Sequence, residues 1–473
     1  MWAVIRTDAS VAIGSGHVMR CCALAAALVK RGVDVVFFSR HLPENLADYI
    51  REQSLECHIF PQAVGPKLPG KTGNSPSDTA DDPYAAWLGT TVEVDAIQFL
   101  EQLDVLQKKR SSPPCAIVVD HYALDERWES VVSKRTQARL VAIDDLSNRA
   151  HYCDLLIDAT FGKNARDYEK LVPEHCNLKI GAKYALLRDG FARSRRESLQ
   201  MRDEAFVAEA PVDNLLISMG GADKDDATLK VLKAIDQLRS HHTFTIHILV
   251  GGMYPYRDTL DKHIRSCPYP VVLHNNVTDI PSLLMQMDVC IGAAGTSSWE
   301  RCCLGIPTIT FVLADNQRVI AKALNKSGAT IDAGCVHALE PADFAKNTLQ
   351  PLIDSTEARR ALSHNARSIC AGQGAAFVAL AVLLPERVSD EVMALRNATM
   401  DDAQLIYDWQ CHPNTRRFAV NSQVPSFANH LTWLERKVAD ISCSIFIVTL
   451  NEVPVGIVRL DPCENLKEDK RDS

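Results

Sequence analysis

Short apolar runs alternate with amphipathic stretches along most of this chain, which is the pattern of an α/β protein. The first part is predicted to contain strands at residues 2–5, 33–39, 56–60, 116–120, 140–145 and 155–158 and helices at 18–30, 43–54 and 92–109. The last three apolar runs end in acidic or histidine side chains, as parallel strands do where their carboxyl ends face a ligand. The sequence therefore predicts a doubly wound, Rossmann-like domain at 1–195.

The same alternation restarts after a basic segment at 188–202. Strands are predicted at 214–219, 245–250, 271–274, 289–291 and 308–312, and helices at 225–239, 281–286, 297–304 and 318–384. A second Rossmann-like domain is thus expected at 196–384. Two α/β domains in tandem face each other across a cleft, which is the usual place for a substrate that contacts both.

Beyond residue 384 the pattern changes to α+β. The composition of 385–391 is that of a linker, and 392–473 is predicted to contain strands at 393–396, 444–450 and 455–460 and helices at 401–410 and 429–438. Two polar stretches are expected to lack regular structure. They are residues 62–83, interpreted as a surface loop or a lid over the site, and the charged residues 465–473.

Composition narrows the class of protein. At 473 residues the chain is too long for one core, and its 47% hydrophobic and 23% charged residues are typical of a soluble protein. A net charge of -8 argues against nucleic acid or a membrane surface as the main partner. The 15 cysteines form no Cys-x-x-Cys pair and are interpreted as reduced thiols. The lack of a signal core or a long apolar run predicts a cytoplasmic protein.

A glycine-rich loop joins the first predicted strand to the first predicted helix. It carries Gly14, Gly16 and His17. Glycines allow a positive φ and a close approach to a ligand, and the following helix directs free N–H groups at the loop. A histidine beside such an anion site can exchange a proton near neutral pH. A lone histidine is more often a capping or core residue, and the loop lacks the third glycine of the dinucleotide fingerprint.

The second half contains a matching glycine-rich stretch after a predicted strand. Gly292, Ala293, Gly295, Thr296 and Ser297 offer backbone N–H groups and hydroxyls to a diphosphate. Glu300, one turn later, is a candidate acceptor for the two hydroxyls of a ribose. The competing interpretation is simple helix capping by the hydroxyls and a dipole-favoured acidic residue.

One short motif formally matches a metal site. Asp223-Lys224-Asp225 fits the Asp-x-Asp pattern of metal-dependent glycosyltransferases. Because it follows Gly220-Gly221 and precedes a predicted helix, we expect it to cap that helix. No second cluster offers a metal a full ligand set, so no metal is expected.

The order of these motifs makes the chain similar to a known family. From residue 1 to about 384 it resembles the UDP-2,4-diacetamido-2,4,6-trideoxy-β-L-altropyranose hydrolases of the pseudaminic acid pathway. That family has the GT-B fold of the two-domain nucleotide-sugar glycosyltransferases. The resemblance is carried by Arg6, Asp8, 13–20, 119–122, 143–146, 184–188, 220–223, 291–305 and 314–317.

The resemblance also implies roles for individual residues. His17 is the implied catalytic residue, against the interpretation favoured for a lone histidine. The implied sugar-binding side consists of Arg6, Asp8, Gly14, Gly16, Asp120, His121 and Asp145. The implied UDP-binding side consists of Gly220, Gly221, Gly292, Ala293, Gly295, Thr296, Ser297, Glu300, Asn316 and Gln317.

The implied activity is hydrolysis of a UDP-linked diacetamido sugar. Water activated by His17 would displace UDP from the anomeric carbon with inversion, without a metal or a cofactor. The expected partners are the UDP-sugar substrate and other enzymes of the same pathway, and a monomer is expected. Two alternatives stay open: a GT-B glycosyltransferase that uses an acceptor in place of water, and a bifunctional protein with sugar N-acetyltransferase activity.

The C-terminal segment resembles the start of a GCN5-related N-acetyltransferase. The resemblance is carried by 395–399, 401–402, 407–410, 430–434 and 455–460. The Arg/Gln-x-x-Gly-x-Gly/Ala loop with which that family binds the coenzyme A pyrophosphate would follow residue 460 and is absent from the sequence. The segment is therefore expected to be an incomplete α+β domain that does not acetylate, either partly unfolded or docked on the hydrolase.

Overall fold

A computed structural model describes residues 1–61, 83–221, 223–238, 243–252, 254–275, 277–384, 393–416, 423–440, 443–450 and 453–460. The chain divides into two compact units, Met1–Leu384 (unit 1) and Pro385–Ser473 (unit 2). Residues 62–82 of the predicted loop, the linker at 385–391 and the tail at 465–473 lie outside the described residues.

The first part of unit 1 is built on a parallel sheet of seven strands. The strands are β1 (Trp2–Thr7), β2 (Asp34–Ser39), β3 (Glu56–Ile59), β4 (Ala116–Asp120), β5 (Arg139–Ile143), β6 (Leu155–Asp158) and β7 (Asn177–Ile180). The helices are α1 (Gly16–Val29), α2 (Glu44–Glu52), α3 (Ala85–Leu88), α4 (Val92–Arg110), α5 (Glu126–Arg135) and α6 (Asp189–Val207), with 3-10 turns at Ala165–Tyr168 and Ala182–Tyr184. The strand order is β3-β2-β1-β4-β5-β6-β7.

The central strand β1 shows why this sheet is covered on both faces. Ala3 and Ile5 belong to the hydrophobic core on one face, together with the apolar side of α1. Trp2 and Val4 belong to the core on the other face. Because side chains alternate along a strand, a run that is apolar at every position needs a helical layer on each side.

The second part of unit 1 repeats this plan with six parallel strands. The strands are β8 (Asn214–Ser218), β9 (Thr245–Val250), β10 (Val271–Asn275), β11 (Val289–Ala293), β12 (Thr308–Val312) and β13 (Ile331–Cys335), in the order β10-β9-β8-β11-β12-β13. The helices are α7 (Ala227–Ile235), α8 (Arg257–Ile264), α9 (Ile280–Met285), α10 (Ser297–Cys303), α11 (Arg318–Lys326), α12 (Pro341–Asp343), α13 (Gln350–Asp354), α14 (Thr356–Ile369) and α15 (Gly374–Leu383). Short 3-10 turns lie at Asp315–Gln317 and Val336–Ala338, and a π-helical turn at Phe344–Leu349.

The sequence prediction missed two strands, β7 and β13. β13 has the sequence IDAGC, with an aspartate and a glycine, and its residues are half-buried or exposed at the edge of the sheet. Such an edge strand lacks the apolar run that marks a buried one. The domain boundary expected at residue 195 falls inside α6 and stays a prediction.

The last helix of unit 1 returns to the first sheet. Val378 and Val382 of α15 pack in the same core as α1, and Arg139 at the start of β5 donates to the Ala381 carbonyl (2.5 Å) and to that of Leu384. The stretch Thr356–Leu383 is long and apolar enough, by length and composition, to cross a membrane. Half of its most apolar window is buried inside the protein, and core helices pass the same test.

Unit 2 contains a three-stranded antiparallel sheet and helices. Its strands are β14 (Met393–Asn397), β15 (Ser444–Leu450) and β16 (Val453–Leu460), in the order β14-β15-β16. Its helices are α16 (Ala403–Cys411), α17 (Pro413–Arg416) and α18 (Phe427–Ala439), with a 3-10 turn at Met400–Asp402. A small core that includes Ile406, Leu434 and Ile447 joins the sheet to α16 and α18.

Candidate active site

Each sheet of unit 1 has a point at which the order of its strands reverses. In the first sheet this point lies between β1 and β4, and in the second between β8 and β11. The loops that leave such strands at their carboxyl ends diverge and open a crevice, where ligands bind in doubly wound folds. The glycine-rich stretches of the sequence follow β1, β8 and β11, so they lie at these two points.

The loop after β1 places His17 in the first turn of α1. Gly14 has φ +80° and its N–H donates to the Ser10 carbonyl at 2.7 Å, which closes a tight turn. Ser15 precedes α1 and its side chain caps no amide of that helix. The first-turn N–H groups of α1 therefore remain available on the side from which a ligand would approach.

His17 pairs with Asp120 at the end of β4. Its Nδ1 lies 2.6 Å from Asp120 Oδ1, and both side chains are buried. Arg20, one turn further along α1, donates from Nε to Asp120 Oδ2 (2.7 Å) and from Nη2 to Asp120 Oδ1 (2.6 Å). One carboxylate thus holds the imidazole and the guanidinium together.

The charge state of Asp120 follows from these partners. Burial raises the pKa of Asp120, but the Arg20 guanidinium and His17 outweigh it and hold that pKa well below the usual range. An ionised carboxylate only accepts hydrogen bonds, so Nδ1 of His17 is the nitrogen that carries the proton. Nε2 is then the ring nitrogen free to take a proton from another molecule.

A second carboxylate and an aromatic cluster surround this pair. Asp145, which follows β5, accepts from Arg20 Nη1 at 2.9 Å and from the Tyr122 hydroxyl at 2.5 Å. The Tyr122 ring meets the His17 ring edge-on, with centroids 4.6 Å apart. The rings of Tyr84 and Trp87 lie 5.0 and 5.7 Å from that of Tyr122.

Two of the predicted sugar-binding residues, Arg6 in β1 and Asp8 just after it, are buried rather than exposed to the cleft. Arg6 and Asp8 have no solvent-exposed surface. Arg6 Nη1 donates to Asp8 Oδ1 at 2.5 Å, and Arg6 Nη2 donates to Asp95 of α4 at 2.8 Å. Arg40 also donates to Asp95, from Nε at 3.0 Å. In this structure Arg6 and Asp8 are joined in one buried network with Asp95, and neither has an exposed surface that a sugar could contact.

His121 is buried in the same layer. Its Nδ1 accepts the Ala123 N–H at 3.1 Å, and its Nε2 lies 3.4 Å from Asp8 Oδ2. Burial lowers the pKa of His121 to about 4, although Asp8 acts in the opposite direction. His121 is therefore neutral at pH 7 and buried. Asp120 contacts His17 directly, and Asp145 is joined to the pair through Arg20.

A buried arginine joins the end of β11 to the start of α10, on either side of the loop between them. Arg301 of α10 donates from Nη2 to the Ala293 carbonyl (2.7 Å) and from Nη1 to Ser297 Oγ (3.0 Å). A Cβ on Gly292 would lie 2.8 Å from Arg301 Nη1, so this position needs a glycine. Thr296 is exposed at the surface of the loop.

The remaining predicted UDP-binding residues lie around this loop. Glu300 is partly exposed, with Oε1 3.7 Å from Arg188 Nη2, and burial raises its pKa against the effect of Arg188. Gln317 accepts the Leu313 N–H at 2.9 Å, and its Nε2 would lie 3.5 Å from a Cβ on Gly295. Asn316 is exposed beside it.

The glycines after β8 pack closely against a neighbouring loop. Gly220 has φ +99°, and a Cβ on Gly251 would lie 2.3 Å from the Gly221 carbonyl oxygen. Asp223 caps α7 by accepting the N–H groups of Ala227 and Thr228, both at 2.8 Å. Across the described ranges no group of three or more His, Cys, Asp or Glu side chains could hold a metal ion.

The two reversal points face each other within unit 1. A Cβ on Gly16 would lie 3.8 Å from Thr296 Oγ1, and a Cβ on Gly221 would lie 3.2 Å from Ser15 Oγ. A cavity of about 40 Å³ lies at this junction, with Arg20, Asp145, Thr160 and Thr296 among apolar side chains. The predicted catalytic residue and the predicted diphosphate loop are thus brought to one place.

Sequence reasoning missed Arg20, Tyr122 and Arg301 as site residues. Arg20 lies three positions after His17 on one predicted helix. Arg301 lies four positions after Ser297 and three after Ser298 on another. This spacing puts both side chains on the same face as those residues and was the available signal. Tyr122 follows Asp120 and His121 at a strand end, which was a weaker signal.

No protein-family model matches the chain. The chain is 22% identical to an uncharacterised protein of Methanocaldococcus jannaschii over 66% of its own length and 56% of that relative, so it spans about half of that protein. It is 24% identical to the spore coat polysaccharide biosynthesis protein SpsG of Bacillus subtilis, over 55% of this chain and 73% of SpsG. It is 23% identical to the UDP-2,4-diacetamido-2,4,6-trideoxy-β-L-altropyranose hydrolase of Campylobacter jejuni, over 70% of this chain and 99% of that protein.

Solved structures match the fold of the chain. MurG of Acinetobacter baumannii superposes with a TM-score of 0.54 at 13% identity, over 80% of this chain and 98% of MurG. A UDP-glucosyltransferase from Polygonum tinctorium superposes with a TM-score of 0.56 at 14% identity, over 81% and 99%. The predicted fold class is confirmed: unit 1 consists of two Rossmann-like domains in the GT-B arrangement.

Proposed function

We propose that the chain is a hydrolase that cleaves the anomeric C–O bond of a UDP-linked sugar, releasing UDP and the free sugar. The observation that carries the proposal is the His17–Asp120 pair, which lies opposite the glycine-rich loop after β11. An imidazole with one nitrogen bound to a carboxylate is the arrangement of a general base. The similarity to a named UDP-sugar hydrolase supports the same reaction.

The proposed step is a single displacement. His17 Nε2 takes a proton from water as the water oxygen bonds to the anomeric carbon, and the bond from that carbon to the diphosphate oxygen breaks. UDP leaves with the electron pair, and the anomeric configuration inverts. Asp120 stabilises the imidazolium that forms, and Arg20 keeps Asp120 ionised in its buried position.

The leaving group is proposed to bind at the loop after β11. Gly292 and Ala293 at the end of β11, Gly295 and Thr296 in the loop, and Ser297 at the start of α10 are proposed to offer it backbone N–H groups and hydroxyls. Such donors stabilise the negative charge that develops on the departing diphosphate. Glu300, partly exposed on the next turn, is proposed to accept from the ribose hydroxyls, and Gly220, Gly221, Asn316 and Gln317 are proposed to complete the nucleotide side.

The sugar is proposed to lie against the first sheet. Gly14 and Gly16 let it approach the backbone of the His17 loop, and Asp145 offers carboxylate oxygens next to the cavity. The similarity to the C. jejuni protein supports a 2,4-diacetamido-2,4,6-trideoxy sugar, and hence a role in pseudaminic acid synthesis. The aromatic cluster of Tyr84, Trp87 and Tyr122 favours the alternative of a glycosyltransferase, because it would suit an apolar acceptor.

The test is the release of UDP from the proposed substrate, with EDTA present and no acceptor added. We expect release by the native chain and a loss of at least about 10²-fold in His17→Asn, as for the removal of a general base. The matched control is His263→Asn, because His263 also pairs with an aspartate (2.8 Å) but on the surface helix α8. Release that begins only when an acceptor is supplied would identify a transferase instead.

A further inference from the structure

The buried and half-buried arginines that pack against the second sheet of unit 1 fall into two kinds. Arg202, Arg195 and Arg359 donate to main-chain carbonyls at or just beyond the carboxyl ends of helices, for example Arg202 Nη1 to Met287 (2.7 Å) and Arg195 Nη1 to Cys303 (2.6 Å). Those carbonyls carry partial negative charge, which compensates a guanidinium without a carboxylate.

Arg301 is the exception. It is 2% exposed, and its acceptors are Ala293, Ser297 and Ser298, which lie at the end of β11 and at the start of α10. That end of α10 presents N–H groups, not carbonyls. Among the described residues no carboxylate lies within 4.0 Å of Arg301, although Glu300 interacts with its charge from a greater distance. The buried Nε of Arg301 has no hydrogen-bond partner.

A buried cation that no carboxylate contacts directly is unfavourable, because buried charges need a nearby opposite charge or a full set of hydrogen bonds. An anion bound close to Arg301 would supply that charge. The Arg301 side chain runs back along α10, as helical side chains do, and ends beneath the loop. Gly292 is the residue that leaves space for it, since a Cβ there would lie 2.8 Å from Nη1. The guanidinium therefore lies on the buried side of the backbone of the proposed diphosphate site.

We infer that Arg301 is the buried counter-charge for the diphosphate of the substrate and a positioning residue for the loop that binds it. Its second effect acts through Ser297, whose hydroxyl oxygen accepts from Arg301 Nη1 at 3.0 Å. That hydroxyl must then direct its own hydrogen elsewhere, and donation from a cation strengthens it as a donor. Arg301 thus turns Ser297 into a hydrogen-bond donor for an anion that the guanidinium itself does not touch.

This inference rests on the proposed UDP site, and one titration series separates the two. Calorimetry would compare UDP and uridine on the native chain, on Arg301→Met and on the control Arg195→Met, whose guanidinium also binds carbonyls but lies at the other end of α10. We expect Arg301→Met to bind UDP about tenfold more weakly, with uridine binding unchanged within about twofold, because only the diphosphate interacts with the lost charge. Arg195→Met is expected to leave the ratio of the two affinities unchanged.

Three results would overturn parts of this account. Equal weakening of UDP and uridine in Arg301→Met would mean a merely structural role, and unchanged UDP affinity would mean no role. A native chain that binds neither ligand would overturn the UDP site itself and the inference with it. Should Arg301→Met fail to fold, Arg301→Lys and Arg301→Gln make the same comparison, with Lys expected to bind UDP more tightly than Gln and uridine equally.

Discussion

His17 and Asp120 come from α1 and β4, 103 positions apart, and meet because β1 and β4 are neighbours in the sheet. The proposed mechanism gives each a distinct function. His17 would exchange the proton, and Asp120 would fix which ring nitrogen carries it. The rate of UDP release after substitution of Asp120 therefore tests this mechanism, provided that the variant folds.

Asp120→Asn is expected to lower kcat for UDP release by about 10²–10⁴-fold, because an amide can hold the wrong imidazole tautomer and no longer stabilises the imidazolium. Asp236→Asn is the matched control. Asp236 lies 2.8 Å from His263, close to the 2.6 Å between Asp120 and His17, but that pair is on the surface. Steady-state kinetics with circular dichroism on each variant would check this. A folded Asp120→Asn enzyme with native kcat would remove Asp120 from the mechanism.

His121 leads to a prediction about acid stability. Its pKa is lowered to about 4 in the folded protein by burial, against 6.5 in the unfolded chain. Between these values the unfolded chain binds the extra proton, so the free energy of unfolding falls as the pH drops from about 6.5 to 4, by up to about 3 kcal/mol. Thermal melts across this range should show a smaller loss in His121→Asn, which keeps an acceptor for the Ala123 N–H.

Asp8 titrates in a different window and does not obscure this effect. Its pKa is lowered to about 2 by Arg6, His121 and Arg40, against the opposing effect of burial. Its stabilising contribution is therefore present above pH 4 and lost below it. Equal slopes for the native chain and His121→Asn between pH 6.5 and 4 would contradict the prediction for His121.

At the scale of elements, the glycines at the ends of β8 and β9 set how close two loops approach. A Cβ on Gly251 would lie 2.3 Å from the Gly221 carbonyl oxygen and 2.7 Å from its Cα, and backbone cannot rotate away as a side chain can. Gly251→Ala is expected to cost about 2 kcal/mol of stability by overpacking and to weaken UDP binding by displacing Gly221. Chemical denaturation and calorimetry with UDP would measure both.

Gly334→Ala is the matched control for that variant. Gly334 has φ +76° with nothing within 4 Å of an added Cβ, so its substitution carries backbone strain of about 1 kcal/mol without a clash. It lies in the edge strand β13, outside the proposed site. If both variants bound UDP as the native chain does, the Gly221 loop would have no part in nucleotide binding.

The elements that could be predicted from the sequence are those with a strong local pattern. The sequence pattern predicts buried strands at β1, β4 and β11 and an apolar helix at α1. The positions of the His17 loop and the diphosphate loop follow from these elements. The local sequence pattern does not show whether a side chain at the end of a strand faces the ligand or the protein interior. Arg6 and Asp8 were expected at the sugar, but they are buried because Asp95, on the distant helix α4, completes their network.

At the scale of the whole chain, the described site residues all belong to unit 1. Both sheets, both reversal points and the returning helix α15 lie within Met1–Leu384. Arg139 of β5 donates to the last carbonyls of α15, which holds the end of unit 1 on its first sheet. Unit 2 has its own sheet and its own small core.

A chain ended after residue 391 is therefore expected to release UDP with a kcat/KM within about twofold of the full chain. The cut leaves Leu384 in place, so the cap that Arg139 provides is kept. Removing the cap by Arg139→Met in the shortened chain should lower its melting temperature, because three carbonyls of α15 and its end lose a charged donor. A shortened chain with the melting temperature of the full chain but no activity would mean that unit 2 contributes to catalysis. Unfolding of unit 1 could not explain such a loss.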